Sequence, residues 1–292
     1  MIAQFIFDSL LSAKGKWSFK FLSIFRLVLV KLSDPIITWN YEGIKVKMNL
    51  SHDLAFNIKN YPSYNQNLGE VAAIMAKKYP NMRIIDVGAN VGDSVAIIQH
   101  KINAEFLCIE GNPKFIPLLK ENQKNFGNIE IEQCFVGEET SKAKPVNNLG
   151  TAYLEKDEDG IDIKTISSVI ENHPNFKFTK LIKIDTDGFD NKIIRGAKAF
   201  LLESKAAIFF EYDPFYLAKQ QEKGTDIFEF LVGLGYAKFV IFNNFGIYLT
   251  TLSAKEIHHF INFHHYFNKD GSVYMDIWAI HEEDHEMDFR KD

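Results

Sequence analysis

The segment from residue 83 to residue 110 places the strongest limits on how this chain folds. It begins with RIIDVGANVGDS at 83–94 and ends with the apolar run FLCIE at 106–110. Branched apolar residues at 83–87 are typical of a parallel strand that is covered on both faces. Gly88 and Gly92 predict a tight turn, because glycine lets the main chain approach a ligand closely. The segment therefore predicts a strand, a turn, a helix and a second strand that ends at Glu110, the arrangement of a nucleotide site.

The turn between these strands indicates which nucleotide cofactor it holds. A dinucleotide site has the pattern G-x-G-x-x-G, in which the second glycine makes room for pyrophosphate. Here Asn90 stands in place of that glycine, and Asp86 comes just before the turn. A carboxylate repels pyrophosphate but attracts the ammonium group of an amino-acid moiety. The turn therefore favours S-adenosylmethionine over NAD, with Glu110 accepting hydrogen bonds from the ribose hydroxyls.

The composition is that of an ordinary globular protein. Among 292 residues, 46% are hydrophobic and 24% are charged, which excludes wholesale disorder. The net charge of −5 gives no overall basic field, so we expect no nucleic-acid partner. The two cysteines, Cys108 and Cys134, fall in apolar runs and predict buried thiols in a reducing compartment, hence a cytoplasmic location.

Residues 1–33 combine basic side chains with aromatic ones. Their most apolar run, 21–32, is interrupted by Arg26 and Lys31 and is shorter than the roughly 20 residues of a membrane-spanning helix. The favoured interpretation is a helical extension that packs on the domain or on a partner chain. The alternative is an amphipathic segment lying on an anionic membrane surface, which would make the protein peripheral to the inner membrane face.

Strands and helices alternate from residue 83 onward, which predicts a doubly wound, mostly parallel sheet. We expect strands at 83–87, 105–109, 129–136, 180–184, 206–211, 236–242 and 273–280, and helices at 93–101, 113–125, 189–203 and 225–234. No long helix separates the last two strands, so the terminal strand is expected to be antiparallel. We divide the chain into an N-terminal extension at 1–63, with a hairpin near 36–48, and a catalytic domain at 64–292. A polar insertion at about 137–166 is expected over the ligand end of the sheet.

A second group of polar residues follows the strand in LIKIDTDGFD, at 181–190. Asp185 and Asp187 come directly after it, and Glu211 ends the next strand. Carboxyl ends of parallel strands meet at one crevice, so these acids should share a cavity with the glycine turn. One of them could take the proton of an attacking hydroxyl, or together they could hold Mg²⁺ or Ca²⁺. Asp190 is interpreted as a helix cap.

The sequence resembles the FkbM-type methyltransferases, a class I branch of the S-adenosylmethionine-dependent enzymes. The matching stretches are DVGANVGDS at 86–94, IEGNP at 109–113, KIDTDGFDNKIIRGA at 183–197 and FFEYDP at 209–214. The resemblance implies a Rossmann-like, seven-stranded sheet with an antiparallel last strand, and O-methylation of a sugar, a glycan-like acceptor or a polyketide hydroxyl. It also implies that residues near Cys134–Gly137 flank the adenine. From the motifs and the resemblance together, the expected cofactor-binding residues are Asp86, Gly88, Ala89, Asn90, Gly92, Ser94, Glu110 and Gly137. The catalytic residues expected from the second group of acids are Asp185, Asp187 and Glu211.

Two other functions remain open from the sequence, an NAD-dependent oxidoreductase and a non-catalytic cofactor-binding partner protein. The motif HEEDH at 281–285 has the spacing of a zinc protease. It follows a strand within an acidic tail, whereas a zinc site needs a helix that places both histidines on one face. We therefore expect no catalytic zinc there.

Overall fold

The structure is a computed structural model that describes residues 1–148, 151–156, 160–267 and 273–289. The strands are β1 Ile36–Tyr41, β2 Ile44–Asn49, β3 Arg83–Val87, β4 Glu105–Ile109, β5 Ile129–Glu132, β6 Phe135–Val136, β7 Ser141–Asn148, β8 Thr151–Lys156, β9 Ile161–Lys164, β10 Leu181–Ile184, β11 Ala207–Tyr212, β12 Tyr236–Asn243, β13 Tyr248–Ser253 and β14 Met275–His281. The helices are α1 Ile2–Ser12, α2 Lys16–Leu32, α3 Leu54–Asn60, α4 Gln66–Lys78, α5 Asp93–Gln99, α6 Ile116–Asn122, α7 Ile166–Asn172, α8 Asp190–Gly196, α9 Lys198–Ser204, α10 Pro214–Lys219, α11 Asp226–Gly233 and α12 Phe260–Phe267.

The main sheet confirms the expected α/β fold class. Its order is β13-β12-β14-β11-β10-β3-β4-β5, and β5, β4, β3, β10 and β11 run parallel to one another. The strand order reverses at β3, since β4 follows on one side and β10 lies on the other. The expected antiparallel terminal strand is β14, which inserts between β11 and β12. In the described residues the sheet has one strand more than expected, because β13 pairs with the edge of β12.

Apolar side chains cover both faces of this sheet. Adjacent residues of β3 point to opposite sides, so Ile84 belongs to one buried cluster and Ile85 to the other. The first cluster includes side chains from α4, α5 and the β1–β2 hairpin. The second includes side chains from α7, α8, α9 and α11. This double burial explains why the central strands read as continuous apolar runs.

Two elements are interrupted where the sequence predicted continuous ones. The expected strand at 129–136 is divided into β5 and β6, because β6 leaves the main sheet to pair with β9. The expected helix at 189–203 is divided at Ala197 into α8 and α9. The polar insertion forms a small sheet of order β6-β9-β7-β8, although residues 149–150 and 157–159 of it lie outside the described residues.

Residues 1–63 share their core with the main sheet. Ile6, Phe7 and Leu10 of α1 are buried in the same cluster as Ile84 of β3. α2, all of whose residues the structure describes, has no buried residue. None of the helices in the described ranges has both the length and the apolar character needed to cross a membrane. The division into extension and domain stays a prediction.

Candidate functional site

A cavity of about 660 Å³ lies at the carboxyl ends of β3, β4, β10 and β11. Its position follows from the reversal of strand order at β3, where the loops on either side diverge and leave a crevice. Seven of the predicted site residues line it: Gly88, Asn90, Ser94, Glu110, Asp185, Asp187 and Glu211. The two sequence motifs, nearly 100 positions apart along the chain, therefore meet at one cavity.

Gly88 brings the two motif loops into direct contact. Its φ is +75°, and a Cβ added there would lie 2.1 Å from the backbone oxygen of Asp185. Its amide donates a hydrogen bond to the oxygen of Ile109 at 3.0 Å, which ties the turn to β4. Asn90 also has a positive φ, +49°, so the chain turns sharply twice within three residues. The absence of a side chain at Gly88 is therefore a requirement of the site.

Glu110 is held in a fixed orientation by two backbone amides. Its Oε2 accepts a hydrogen bond from the amide of Asn90 at 2.8 Å, and its Oε1 accepts one from the amide of Asn112 at 2.6 Å. The side chain is buried at the cavity wall. Burial raises the pKa of Glu110, while the two amide donors act in the opposite direction. Each oxygen keeps a lone pair for a ligand hydroxyl.

Lys183 is a buried cation that the sequence reasoning missed. Its Nζ lies 3.3 Å from Oδ1 of Asp86 and 3.5 Å from Oδ2 of Asp185. Burial opposes the charged ammonium, but the carboxylates of Asp86 and Asp185 raise the pKa of Lys183. A lysine in the otherwise apolar strand LIKI was the available signal. Lys183 links the acid before the glycine turn to the first acid of the second motif.

Four predicted cofactor residues lie outside the cavity wall, and their part in cofactor binding stays a prediction. Asp86 is buried beneath the turn and pairs with Lys183. Ala89 is fully buried. A Cβ on Gly92 would lie 2.5 Å from the ring of Phe126, and one on Gly137 would lie 2.9 Å from the side chain of Ile163. These glycines allow close packing behind the wall.

The three acids predicted to be catalytic line the cavity. Asp185 is half exposed and Asp187 has a φ of +51° in the turn that follows β10. Glu211 is partly buried and stands opposite Asp276, its partner across β11 and β14. Burial, with smaller contributions from neighbouring acids, raises the pKa of Glu211 well above its usual value. Burial and then Asp185 also raise the pKa of Asp187.

Asp276 and its partners come from distant parts of the chain, and the sequence reasoning did not find them. Oδ2 of Asp276 accepts a hydrogen bond from Nδ2 of Asn67 at 2.9 Å. Burial raises the pKa of Asp276 to about 7. Tyr64 lines the cavity beside this pair, and its hydroxyl lies 3.0 Å from that of Tyr274. An acid within the apolar strand MDIWAIH was the only hint of this group.

Asp190 has a structural position. Its Oδ2 accepts a hydrogen bond from the amide of Gly188 at 3.1 Å, within the turn before α8. It is the first residue of α8 and braces this turn, and Phe189 is the N-cap. Burial raises the pKa of Asp190 to about 7.

The acids that line the cavity and the HEEDH motif are the candidate metal ligands. In the described parts of the chain, no three or more histidine, cysteine, aspartate or glutamate side chains are grouped so that they could hold one ion. The residues of the HEEDH motif end β14 and form a single 3₁₀ turn at Glu282–Asp284, with His281 buried and His285 exposed. Neither Mg²⁺ nor zinc is therefore assigned a place.

Comparison with known proteins gives a family match. A family model described as the methyltransferase FkbM domain matches residues 86–238. Comparison with curated proteins gives no significant match.

Three solved structures with similarity to this chain carry the names of methyltransferases. One is the methyltransferase FkbM from Methylobacillus flagellatus KT, with 14% identity, a TM-score of 0.36, and coverage of 68% of this chain but only 43% of that chain. Another is precorrin-6y C5,15-methyltransferase from Geobacter metallireducens GS-15, with 12% identity, a TM-score of 0.39, and coverage of 72% and 87%. A third is magnesium protoporphyrin IX methyltransferase from Synechocystis PCC 6803 with bound S-adenosylhomocysteine, with 9% identity, a TM-score of 0.43, and coverage of 79% and 88%.

Proposed function

This chain belongs to the FkbM family of S-adenosylmethionine-dependent methyltransferases, and we propose that it methylates a hydroxyl of a neutral sugar or glycan-like acceptor. The observation that carries the proposal is the single cavity whose wall combines two chemically different groups. They are the glycine turn with Glu110, and the carboxylates of Asp185, Asp187 and Glu211. Family membership favours methyl transfer over the NAD-dependent alternative.

The glycine turn and Glu110 fit the cofactor. The Oδ1 atom of Asn90 is buried and has no hydrogen-bond partner among the described residues. This oxygen can therefore accept a hydrogen bond from a ligand at the turn. Glu110 would hold the ribose, and Cys134 and Phe135 in the wall would flank the adenine. When bound, S-adenosylmethionine supplies an electrophilic sulfonium methyl group. The chain positions the acceptor and keeps water away from it.

The carboxylates of Asp185, Asp187 and Glu211 select the charge of the acceptor. They accept hydrogen bonds from hydroxyl groups but repel phosphates and carboxylates. Lys183 does not offset this repulsion, because its ammonium already faces Asp86 and Asp185. A neutral polyhydroxyl compound satisfies these acids better than an anionic one.

We propose that Asp187 takes the proton of the attacking hydroxyl. Its raised pKa makes it a stronger base than an aspartate of ordinary pKa, and the turn places it in the cavity wall. Burial raises the pKa of Glu211 well above its usual value, which favours the protonated carboxyl, and a protonated carboxyl can donate a hydrogen bond to the acceptor. Asp185, salt-bridged to Lys183, would accept from a second hydroxyl and fix the orientation of the acceptor.

The test is transfer of a labelled methyl group from S-adenosylmethionine to neutral saccharides, sugar phosphates and uronates. We expect transfer to members of the neutral set alone. Asp187→Asn should lower kcat by roughly 100-fold or more, since general-base catalysis contributes about 10²–10⁴. Glu203→Gln, which changes an exposed acid paired with Lys177, should leave kcat unchanged.

Calorimetric binding of S-adenosylhomocysteine shows whether an inactive variant is still folded, so that a loss of catalysis can be told from a loss of folding. Asp187→Asn should bind it as the wild-type protein does. A variant that keeps full kcat would refute the role of Asp187, and methylation of sugar phosphates in preference to neutral sugars would refute the acceptor class. Cofactor binding without turnover on any acceptor of the panel would favour the non-catalytic partner protein.

A further inference from the structure

α2 presents an apolar face to solvent along its whole length. The large side chains on this outer face are Trp17, Phe21, Ile24, Phe25, Val28 and Leu32, each about half exposed or more. Trp17 is the most exposed of them, at 85%. Phe21 and Phe25 contact each other edge to face, with ring centroids 4.9 Å apart. Contiguous apolar surface of this kind marks a docking site on a folded protein.

The opposite face of α2 fixes the helix to the body of the protein. Phe19, Leu22, Leu29 and Val30 pack against the first core cluster. Arg26 donates hydrogen bonds to the backbone oxygens of Leu50 and Ser51, and pairs with Asp53 at 2.5 Å. The helix cannot rotate to bury its outer face without breaking these contacts. Among the described residues, the outer face therefore stays exposed.

The charge around the outer face is strongly positive. Residues 14–31 contain five basic residues and no acidic one, although the whole chain has a net charge of −5. Lys16, Lys20 and Lys31 are exposed at the two ends of the helix. Aromatic side chains on one face with lysines beside them are the signature of a helix that lies in the interface of an anionic bilayer.

We propose that α2 docks the enzyme on an anionic lipid bilayer, with its axis in the plane of the membrane and its outer face in the headgroup region. The length and composition of α2 exclude a spanning role. A second copy of the chain is the rival occupant. It would bring the lysines of two α2 helices together, and this repulsion opposes a dimer but not a bilayer of opposite charge.

The first test is flotation of the full chain with vesicles of phosphatidylcholine alone or mixed with phosphatidylglycerol. We expect binding to the mixed vesicles, weaker at high salt, and none to phosphatidylcholine alone. Lys20→Gln with Lys31→Gln should lower partitioning roughly 25-fold, taking about fivefold for each basic residue. Lys101→Gln with Lys223→Gln, two exposed lysines elsewhere, should change it little. Trp17→Ser with Phe21→Ser should lower it on the order of 100-fold.

The fluorescence of Trp17 also shows whether this side chain inserts into the bilayer. The chain has three tryptophans, and the other two, Trp39 and Trp278, are buried. Quenching of fluorescence by brominated lipid should therefore come from Trp17 and disappear in Trp17→Phe, which should still float with the vesicles. Each variant must bind S-adenosylhomocysteine as the wild-type protein does, which excludes misfolding.

Two results would overturn the proposal. One is absence of flotation with the mixed vesicles by a folded wild-type protein. The other is a lipid-free dimer, seen by light scattering, that Trp17→Ser with Phe21→Ser dissociates, since a second copy would then cover the outer face.

Discussion

Gly88 lies where two backbone segments of the site come closest, and its substitution tests that contact. Gly88→Ala would place a methyl group 2.1 Å from the oxygen of Asp185 and would strain a φ of +75°. We expect a loss of about 2–4 kcal/mol in the free energy of unfolding, from strain and overpacking together. Gly43→Ala is the matched control, because its φ is +91° but no atom lies within 4 Å of the added Cβ. It should cost about 1 kcal/mol of strain alone. If urea denaturation gives equal losses in the free energy of unfolding for the two variants, the close approach to Asp185 does not contribute to the cost of Gly88→Ala.

Glu110 is the residue on which the cofactor assignment depends most. Glu110→Gln keeps the size of the side chain but replaces one acceptor oxygen with a donor. The affinity for S-adenosylhomocysteine should fall by roughly 10–100-fold, the worth of a hydrogen bond to a charged group. Glu105→Gln at the other end of β4, where the acid pairs with Arg83, should leave the affinity unchanged. Similar calorimetric affinities for the two variants would contradict the ribose contact.

Asp276 makes the free energy of unfolding depend on pH. Its carboxyl has a pKa of about 7 in the folded protein, because of burial, against about 3.9 in an unfolded chain. The folded state therefore holds this proton more tightly, and the stability it contributes is lost as the pH rises from about 4 to about 7. Asp276→Asn should remove this loss and raise the free energy of unfolding at pH 8 by about 1–3 kcal/mol. Glu229→Gln, at an exposed position, is the control in urea denaturation at both ends of this range. An unchanged slope in Asp276→Asn would contradict the argument.

These residues differ in how far the sequence alone reveals them. Gly88, Glu110 and Asp185 follow strands whose apolar runs locate the sheet edge, so their meeting at one cavity is predictable. Asp276 arrives on β14, almost 200 residues beyond Gly88, and only strand pairing places it opposite Glu211. Local patterns carry no information about such pairings.

At the scale of elements, Asn122 at the end of α6 joins the N-terminal hairpin to the cofactor turn. Its fully buried side chain donates hydrogen bonds to the oxygens of Lys47 and Val91, and accepts one from the amide of Lys47 at 2.7 Å. Asn122→Ala would leave these backbone groups unpaired and should cost about 2–5 kcal/mol. It should also weaken the binding of S-adenosylhomocysteine, because Val91 belongs to the turn.

Asn125→Ala is the control for this element. Asn125 is exposed and donates one hydrogen bond to the oxygen of Lys45 at 3.0 Å. Its removal should change the free energy of unfolding by about 0.5 kcal/mol or less. Thermal and urea denaturation of both variants would decide, and a cost for Asn122→Ala as small as this would show that the hairpin is not coupled to the turn.

Helices and strands were predicted well where the hydrophobic pattern of the sequence is clear, and poorly where it is not. β3 and β4 have the expected bounds because both lie in the buried centre of the sheet. β13 was missed because it is a partly exposed edge strand without a long apolar run. The strands of the polar insertion were missed because their sequences also lack such a run. The helix expected at 189–203 breaks at Ala197, directly after Gly196, a residue of low helix propensity.

At the scale of the whole molecule, the two helices within residues 1–33 have different surroundings. α1 completes the core beneath the sheet, whereas α2 extends apolar and basic surface outward. The sequence left packing on the domain and membrane contact as alternatives. The structure shows that α1 and the inner face of α2 pack on the domain, while the outer face of α2 stays uncovered.

The shared core predicts that the N-terminal extension and the catalytic domain unfold together. Phe7 is 1% exposed and contacts Phe56 edge to face at 5.4 Å, so Phe7→Ala should cost about 3–5 kcal/mol. Phe25→Ala on the outer face of α2 should cost less than about 1 kcal/mol. Tryptophan fluorescence reports the hairpin through Trp39 and the sheet through Trp278, and circular dichroism reports the helices. With a common core, Phe7→Ala shifts both signals to the same lower midpoint in urea. If the midpoints from fluorescence and dichroism differ, or if Phe7→Ala shifts only a minor part of the unfolding transition, then residues 1–63 unfold separately from the sheet. The shared core would then not couple the two parts of the chain.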